Sequence, residues 1–248
     1  MQSGVISKIQ KYSTKDGPGI RSTVFCAGCN VRCIWCSNPE LIETENKNFQ
    51  TTAITARELS ERLLRDKVFY DQSGGGVTFS GGEPALQPEF VRQTAALLKE
   101  AGVSCALDTA GCVEWDVLKT ASENMDLILY DIKAADDGVH RSCTGASNAL
   151  ILENAKRLAQ IKKLHVRLIL VPPYNDGADL EKRLDFVKSL GGAVSRVDIL
   201  PFHKLGAGKY LSLGVNDPMK DLPECPPEAV SQAAAAAERM GIKAAIGG

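Results

Sequence analysis

The chain has 248 residues, of which 44% are hydrophobic and 24% charged, and 29 basic residues against 30 acidic ones give a net charge of −1. This composition excludes a disordered chain, a collagen-like chain and a coiled-coil rod. The near-zero charge gives no sign of a nucleic acid or an anionic membrane as partner. At roughly 150 residues per domain the length allows one or two domains, and a single α/β barrel-type domain fills it alone.

The N-terminus lacks the apolar segment of a signal peptide, and no apolar stretch approaches the ~20 residues that span a membrane. We therefore expect a cytoplasmic protein with no membrane partner. The chain has eight cysteines, four of them between positions 26 and 36. In a reducing compartment such a dense group favours metal binding over disulfides.

Short apolar runs rich in β-forming residues recur along the chain and predict buried parallel strands. They cover residues 22–26, 76–80, 104–108, 127–131, 166–171 and 196–200. The run at residues 5–10 predicts an additional antiparallel strand. Amphipathic segments lie between most of these runs.

The predicted helices cover residues 55–69, 88–101, 148–161, 178–190 and 227–240. Thr55 and Glu58 form the sequence pattern of a capping box at the start of the first one. Strand–helix alternation predicts an α/β fold with a parallel sheet, and six strands suit an incomplete barrel or a doubly wound sheet. No linker-like tract interrupts the chain, which predicts one domain over residues 1–248.

Polar or glycine-rich segments follow the predicted strands, where parallel α/β folds place their active sites. The first strand leads into the cysteines. The later strands contain or lead into Gly81-Gly82-Glu83-Pro84, Asp108-Thr109, Asp131-Ile132-Lys133, Arg167 and Pro201-Phe202-His203. Because these segments share one rim of such a fold, we expect one shared site.

Cys29, Cys33 and Cys36 have the spacing C-x3-C-x2-C. Three thiolates on an iron–sulfur cluster would leave one iron open to an external ligand, as catalytic zinc sites keep an open position. Cys26 extends the pattern, so a structural zinc site and a closed four-cysteine cluster are alternatives. Zinc knuckles usually separate their pairs by a longer stretch. We expect Cys26, at a strand end, to be a small buried residue, and the other four cysteines to pack.

Several segments together carry a family resemblance. The C-x3-C-x2-C motif with an aromatic before its last cysteine, followed by Gly-Gly-Glu-Pro, resembles the radical S-adenosylmethionine (SAM) superfamily. Residues 12–25, 35–40, 130–133 and 200–206 resemble the activating enzymes of glycyl radical enzymes, of the pyruvate formate-lyase-activating type. The resemblance runs along nearly the whole chain. No cysteine occurs between Cys36 and Cys105, so the ferredoxin-like insert of some relatives is absent and we predict one cluster.

The resemblance implies an incomplete (β/α)6 TIM-type barrel of the radical SAM superfamily, forming one core domain with a cluster loop at 26–38 and a C-terminal helix and tail at 226–248. It implies that Cys29, Cys33 and Cys36 bind a [4Fe–4S] cluster whose open iron binds SAM. The expected SAM contacts are Trp35 and Ser37 near the adenine; Gly81, Gly82 and Glu83 near the methionine; Asp108, Thr109, Asp131, Ile132 and Lys133 near its carboxylate and sulfonium; and Arg167 and His203 near the carboxylate or ribose.

The resemblance further implies a catalytic role for Lys133 and a monovalent cation, Na⁺ or K⁺, at Asp108, Thr109 and Asp131. Asp16 and Gly17 are expected beside the glycine of a partner enzyme. The implied reaction is one-electron cleavage of SAM to methionine and a 5′-deoxyadenosyl radical, which abstracts hydrogen from that glycine's Cα. A glycyl radical enzyme as partner, a flavodoxin or ferredoxin as reductant and an anaerobic setting follow.

Two other functions stay open at this stage. One is a radical SAM enzyme that acts on a small molecule or a peptide. The other is an electron-transfer or zinc-binding module without SAM chemistry. The polar set at successive strand ends disfavours the second, because such a module has no use for it.

Overall fold

Strands and helices alternate along the computed structural model, which describes residues 2–44 and 49–247. The described strands are β1 (Ser3–Ser13), β2 (Arg21–Cys26), β3 (Thr52–Thr55), β4 (Gly76–Gly81), β5 (Ser104–Thr109), β6 (Leu127–Asp131), β7 (Leu164–Leu170), β8 (Val194–Pro201) and β9 (Ala244–Ile246). The described α-helices are α1 (Ala56–Leu64), α2 (Lys67–Ser73), α3 (Pro88–Glu100), α4 (Trp115–Ser122), α5 (Asp137–Thr144), α6 (Ala149–Ala159), α7 (Gly177–Ser189), α8 (Ala207–Leu213) and α9 (Pro227–Arg239).

The described residues divide into two compact units. The first comprises Met1–Asn30, Glu40–Thr109 and Val113–Leu129, and the second Val31–Pro39, Ala110–Cys112 and Tyr130–Gly248. Strand β6 contributes residues to both units. Whether the chain is one domain therefore stays a prediction.

In the first unit the strands follow the order β3-β1-β2-β4-β5-β6. Strands β2, β4 and β5 are parallel, with Cys26 in register with Gly81. Strand β1 runs antiparallel to β2 and β3, which confirms the additional antiparallel strand predicted at residues 5–10. Val24, Val77, Phe79 and Leu107 are fully buried, as expected for strands covered on both faces.

In the second unit β6 is followed by β7, β8 and β9 in that order. Strands β7, β8 and β9 are parallel. Each of the six predicted strands overlaps an observed one, which confirms the α/β class.

The predicted helix at residues 55–69 is wrong in its length. Thr55 caps α1 through the predicted box with Glu58, but α1 ends at Leu64 and α2 begins only at Lys67. Asp66 lies at the break, where its buried carboxylate accepts a hydrogen bond from Lys11 Nζ at 2.9 Å. The chain thus turns at a residue that is paired to β1, rather than continuing one helix.

The other four predicted helices lie within two residues of α3, α6, α7 and α9. The short elements β3, α4, α5, α8 and β9 were not predicted. In the described part of the chain, no helix combines the length and the apolarity that a membrane crossing needs.

Candidate functional site

Within the first unit, hydroxyl groups hold Asp16 in the turn that precedes β2. Its Oδ2 accepts hydrogen bonds from Ser13 Oγ and Thr23 Oγ1, both at 2.6 Å. Thr78 Oγ1 donates to the main-chain oxygen of Asp16 at 2.7 Å. The backbone of this turn is therefore tied to the neighbouring strands β2 and β4.

Buried Arg21 supports the same turn. Its Nε donates to Thr78 Oγ1 and its Nη2 to the carbonyl of Val77, each at 2.7 Å. Gly17 has φ +117°, and a Cβ there would lie 3.1 Å from Arg21 Cδ. A side chain at position 17 would strain the backbone and press on the arginine, which gives the glycine a local structural reason.

Cys26 and Cys29 differ in their surroundings although three positions apart. Cys26 is fully buried, and burial, with the nearby carboxylate of Glu83, raises the pKa of its thiol to about 12. Cys29 is only partly buried, and its main-chain N–H donates to Ile42 O at 2.9 Å. Its full burial makes Cys26 less suited to ligate a metal than the partly buried Cys29, and it is buried as expected.

Gly81 and Gly82 contact the backbone that leads to Cys29. Gly82 N donates to Cys26 O at 2.9 Å, and Glu83 N donates to Gly28 O at 2.8 Å. A Cβ on Gly82 would overlap the carbonyl oxygen of Gly28, and one on Gly81 would overlap the backbone of Cys26. Close approach of two backbone segments therefore requires glycine at both positions.

The Glu83 carboxylate is buried beneath this crossing. Its Oε1 accepts hydrogen bonds from Thr109 Oγ1 at 2.6 Å and from the N–H of Ala85 at 3.0 Å. Asp108 precedes Thr109 on β5, and its Oδ2 accepts a hydrogen bond from Ser80 Oγ at 2.6 Å. The structure thus brings together Glu83 and Thr109, two predicted site residues that lie 26 positions apart in the sequence.

In the second unit, main-chain bonds fix the segment with the other two motif cysteines. Cys36 N donates to Cys33 O at 3.1 Å, which closes a tight turn. Ile34 N donates to Cys143 O at 2.9 Å. Burial raises the pKa of Cys33 to about 11, while the ammonium of Lys133 acts in the opposite direction. Cys33 and Cys36 are both partly buried, like Cys29.

Helix α8 holds the end of this segment. Tyr210 OH donates to Cys36 O at 3.1 Å, and Lys209 Nζ donates to Ser37 O at 2.9 Å and to Asn38 Oδ1 at 2.6 Å. Neither Lys209 nor Tyr210 was predicted to support the site. Their only sequence signal is proximity to the segment at 200–206, because a seven-residue helix carries little periodicity.

Trp35 and Ser37 border a surface depression of the second unit. Its lining includes Trp35, Cys36, Ser37, Phe202, His203 and Tyr210. The indole Nε1 of Trp35 is buried and has no hydrogen-bond partner among the residues that the structure describes. His203 is exposed, and its Nδ1 accepts from Leu205 N at 3.3 Å. Buried indole N–H groups usually have an acceptor, so the depression suits a polar ligand.

Asp131, the last residue of β6, forms a buried ion-pair triad with Lys133 and with Arg167, which lies in the middle of β7. Lys133 Nζ lies 2.8 Å from Asp131 Oδ2, and Arg167 Nε lies 2.7 Å from Asp131 Oδ1. Burial raises the pKa of Asp131, but the two cations outweigh it and lower the value to about 2. Burial also disfavours the charged Lys133, but Asp131 raises its pKa overall. Ile132, between them, donates its N–H to Arg167 O.

The predicted site residues thus form local groups within each unit. The structure has all eight cysteines in the reduced form. Across residues 2–44 and 49–247, no three His, Cys, Asp or Glu side chains are grouped closely enough to hold a metal ion as they stand. The assignment of Cys29, Cys33 and Cys36 as ligands, and of Asp108, Thr109 and Asp131 to a cation, stays a prediction.

Comparison with known proteins identifies similar chains over most of the length. Residues 23–187 match the model of the radical SAM superfamily. The pyruvate formate-lyase-activating enzymes of Staphylococcus aureus strains USA300 and NCTC 8325 are 38% identical over 241 residues, which cover 94% of this chain and 94% of each of those proteins.

Solved structures give a consistent result. A domain of a pyruvate-formate lyase-activating enzyme from Bacteroides vulgatus superposes with a TM-score of 0.60 and 29% identity, covering 71% of this chain and 100% of that one. A radical SAM methyltransferase from Sphaerobacter thermophilus superposes with a TM-score of 0.67 at 15% identity, covering 97% of this chain and 76% of that one. The second match reports fold alone.

Proposed function

Because this chain belongs to the radical SAM superfamily and, within it, to the family of pyruvate formate-lyase-activating enzymes, we propose that it installs a glycyl radical in a partner enzyme of the pyruvate formate-lyase type. The family's partial TIM-type barrel confirms the predicted fold class, and its cofactors are a [4Fe–4S] cluster and SAM. The observation that carries the proposal is the match to activating enzymes along nearly the whole chain. The presence of both motif groups, at the cysteines and at the strand ends, supports it.

The chemistry of the donor set fits the cluster. Cys29, Cys33 and Cys36 are partly buried, whereas Cys26 is fully buried. Three ligands would leave one iron for SAM. When bound, the cluster supplies one electron that cleaves SAM, and the resulting 5′-deoxyadenosyl radical takes hydrogen from the partner's glycine. The protein orients the reactants and excludes water and oxygen.

Two features of the chain suit SAM. The buried indole N–H of Trp35 lacks a partner within the described residues and borders a depression with Ser37 and His203, which supports adenine or ribose binding there. Gly81 and Gly82 bring a segment of main chain against the cysteine segment, and Glu83 follows as a buried anion for the SAM ammonium.

The ion-pair triad supports a role with the methionine carboxylate. An ammonium has three N–H donors, and Lys133 uses one of them on Asp131. Arg167 likewise pairs with Asp131 through Nε. Asp131 therefore orients both cations, and the remaining N–H donors of Lys133 would bind a carboxylate. A monovalent cation beside Asp108, Thr109 and Asp131 is a separate part of the proposal, tested by replacing K⁺ and Na⁺ salts with tetramethylammonium.

On the partner side, the tied-down turn at Asp16 and Gly17 would receive the partner's glycine loop. A flavodoxin or ferredoxin would reduce the cluster. We further propose an anaerobic cytoplasmic setting, since an open iron is exposed to oxidants.

Anaerobic reconstitution followed by electron paramagnetic resonance (EPR) tests the function. The reduced chain should give a cluster signal that SAM perturbs, and addition of an anaerobically prepared pyruvate formate-lyase should then give a glycyl doublet. An unperturbed signal would refute SAM binding at the cluster. Stoichiometric 5′-deoxyadenosine without a glycyl signal would refute the partner and favour a small-molecule or peptide substrate.

A further inference from the structure

The segment from Ile132 to Asp136 joins β6 to α5 and contains the lysine of the triad. It has no regular secondary structure, and its first three residues are buried. Buried main-chain N–H and C=O groups outside helices and sheets need other partners. Here side chains that lie 13 to 51 positions later in the sequence supply most of them.

Asn175 holds the carbonyl of Lys133 itself. Its Nδ2 donates to Lys133 O and to Ile169 O, both at 2.8 Å, and its Oδ1 accepts from Val171 N at 2.8 Å. The side chain is fully buried. One amide therefore ties the backbone of Lys133 to the strand that carries Arg167.

Two side chains of helix α7 bond to the main chain on both sides of Lys133. Asp179 Oδ1 accepts hydrogen bonds from Ala135 N at 3.0 Å and Asp136 N at 2.9 Å. Arg183 Nη1 donates to Ile132 O at 3.4 Å, and its Nε lies 3.0 Å from Asp179 Oδ2. Arg183 is completely buried.

The two α7 side chains and Asn175 form a connected group, because Arg183 Nη2 donates to the carbonyl of Asn175. Asn148, which precedes α6, completes the support. Its Nδ2 donates to Ala134 O at 3.2 Å and to Ala135 O at 2.8 Å. Every residue from Ile132 to Asp136 is thus held by a main-chain bond to one of these four side chains.

We propose that four side chains act as positioning residues for SAM binding: Asn148, Asn175, Asp179 and Arg183. They fix the backbone at 132–136 and thereby hold the Lys133 side chain in place beside Asp131. This inference rests on the proposed function, which assigns SAM contacts to Lys133 and Asp131. Burying a charged arginine and aspartate is costly unless they are paired and hydrogen-bonded. Here Asp179 bonds to two main-chain N–H groups of the segment, while Arg183 bonds to Ile132 O within it and to Ile169 O on β7, so the pair ties the segment to the strand that carries Arg167.

Chemical labelling of the cluster-free chain tests the positioning without SAM. Competitive acylation with limiting acetic anhydride, read by peptide mass spectrometry, compares Lys133 with the exposed Lys119. In the wild type Lys133 should react slowly, because it is buried and paired. Asn175→Ala removes the hydrogen bond to the carbonyl of Lys133, so the reactivity of Lys133 relative to Lys119 should rise about tenfold.

Leu184→Ala is the matched control, because Leu184 is fully buried on the same helix and is apolar. It should lower the melting temperature without changing Lys133 labelling. Asn148→Ala is a milder second variant, which removes only the two bonds to Ala134 and Ala135. If Asn175→Ala and Asn148→Ala both leave Lys133 labelling at the wild-type level, the positioning role is wrong.

The reconstituted enzyme separates positioning from general stability. Asn175→Ala and Asn148→Ala should raise the KM for SAM about tenfold with a smaller change in kcat, since misplacement of a binding group by about 1 Å is enough for such a loss. Leu184→Ala should leave that KM unchanged. Equal KM values in all variants would overturn the proposal. A wild type whose EPR signal ignores SAM would instead refute the function, while the labelling result would still report on the segment.

Discussion

The two units hold their predicted site residues by different kinds of interaction. In the first, main-chain bonds and hydroxyl donors dominate. The N–H groups of Gly82 and Glu83 donate to the carbonyls of Cys26 and Gly28, and Thr109 Oγ1 donates to Glu83. In the second, a buried anion pairs with two cations, Lys133 and Arg167. The first group therefore depends on close packing of backbone, and the second on balanced buried charge.

This difference predicts different sensitivities. Steric changes should damage the first group, because backbone neighbours cannot move aside as flexible side chains do. Charge changes should damage the second, because a buried ion without its partner is strongly unfavourable. The motif cysteines fall in both units, Cys29 in the first and Cys33 and Cys36 in the second.

The largest effect is expected at the cysteines. Cys29→Ala in the first unit and Cys33→Ala in the second should each abolish the iron–sulfur cluster, because three ligands are the minimum for a site with one open iron. Cys26→Ala should keep the wild-type iron content, since its side chain is fully buried whereas the three motif cysteines are partly buried. Iron and sulfide analysis after anaerobic reconstitution measures this. Iron loss in Cys26→Ala, or retention in Cys29→Ala, would contradict the ligand set.

Asp131→Asn should be the most damaging of the stability variants. It leaves Lys133 and Arg167 without their anion, so we expect the free energy of unfolding at pH 7 to fall by about 3–5 kcal/mol. Because the cations lower the folded-state pKa of Asp131 to about 2, wild-type stability from this group is full above pH 4. It is lost as the pH falls toward 2, a change of about 2 kcal/mol.

Urea unfolding between pH 2.5 and 7 measures both effects. The acid-dependent loss attributable to Asp131 should be missing in Asp131→Asn. Glu153→Gln is the control, because Glu153 is exposed and its ion pair with Arg157 is solvated. If the two variants show the same stability at pH 7, the buried triad does not stabilise this unit.

Gly82→Ala tests the first unit's dependence on backbone contact. The added Cβ would overlap Gly28 O and lie 2.9 Å from Leu41 O, so the loops must separate at a cost of about 3 kcal/mol. Gly192→Ala is the control, since no atom lies within 4 Å of a Cβ there, and it should change stability by less than about 0.5 kcal/mol. Equal urea midpoints for the two variants would show that the first group tolerates extra volume.

The features predicted from sequence were those encoded locally. Each of the predicted strands came from one apolar run, and the capping box at Thr55 and Glu58 spans four residues. The cysteine motif and Gly81-Gly82-Glu83 are likewise continuous. Family resemblance then assigned expected roles to those positions.

What the sequence could not predict depends on contacts between distant positions. The break between α1 and α2 lies at Asp66, whose carboxylate pairs with Lys11, 55 positions away. The support of Lys133 by Asn175 spans 42 positions, and no local pattern marks either residue. Gly82 was expected as a SAM contact, but its close approach to the main chain of Gly28, 54 positions earlier, is a long-range contact that already requires glycine there.

Thr109→Val probes the one hydroxyl that joins two predicted site residues of the first unit, and its effect should be the smallest. Valine preserves the shape of threonine but removes the donor to Glu83 Oε1. Glu83 is only 1% exposed, so water cannot readily replace that donor. Because Ala85 N still donates to that oxygen, we expect a loss of about 1.5 kcal/mol, typical of one hydrogen bond to a charged group. Thr94→Val is the control: Thr94 is fully buried, but its hydroxyl donates only to Phe90 O in its own helix, so the loss should be smaller. If the two valine variants unfold at the same urea concentration, Glu83 draws no special stability from Thr109, and backbone contact alone holds the first group.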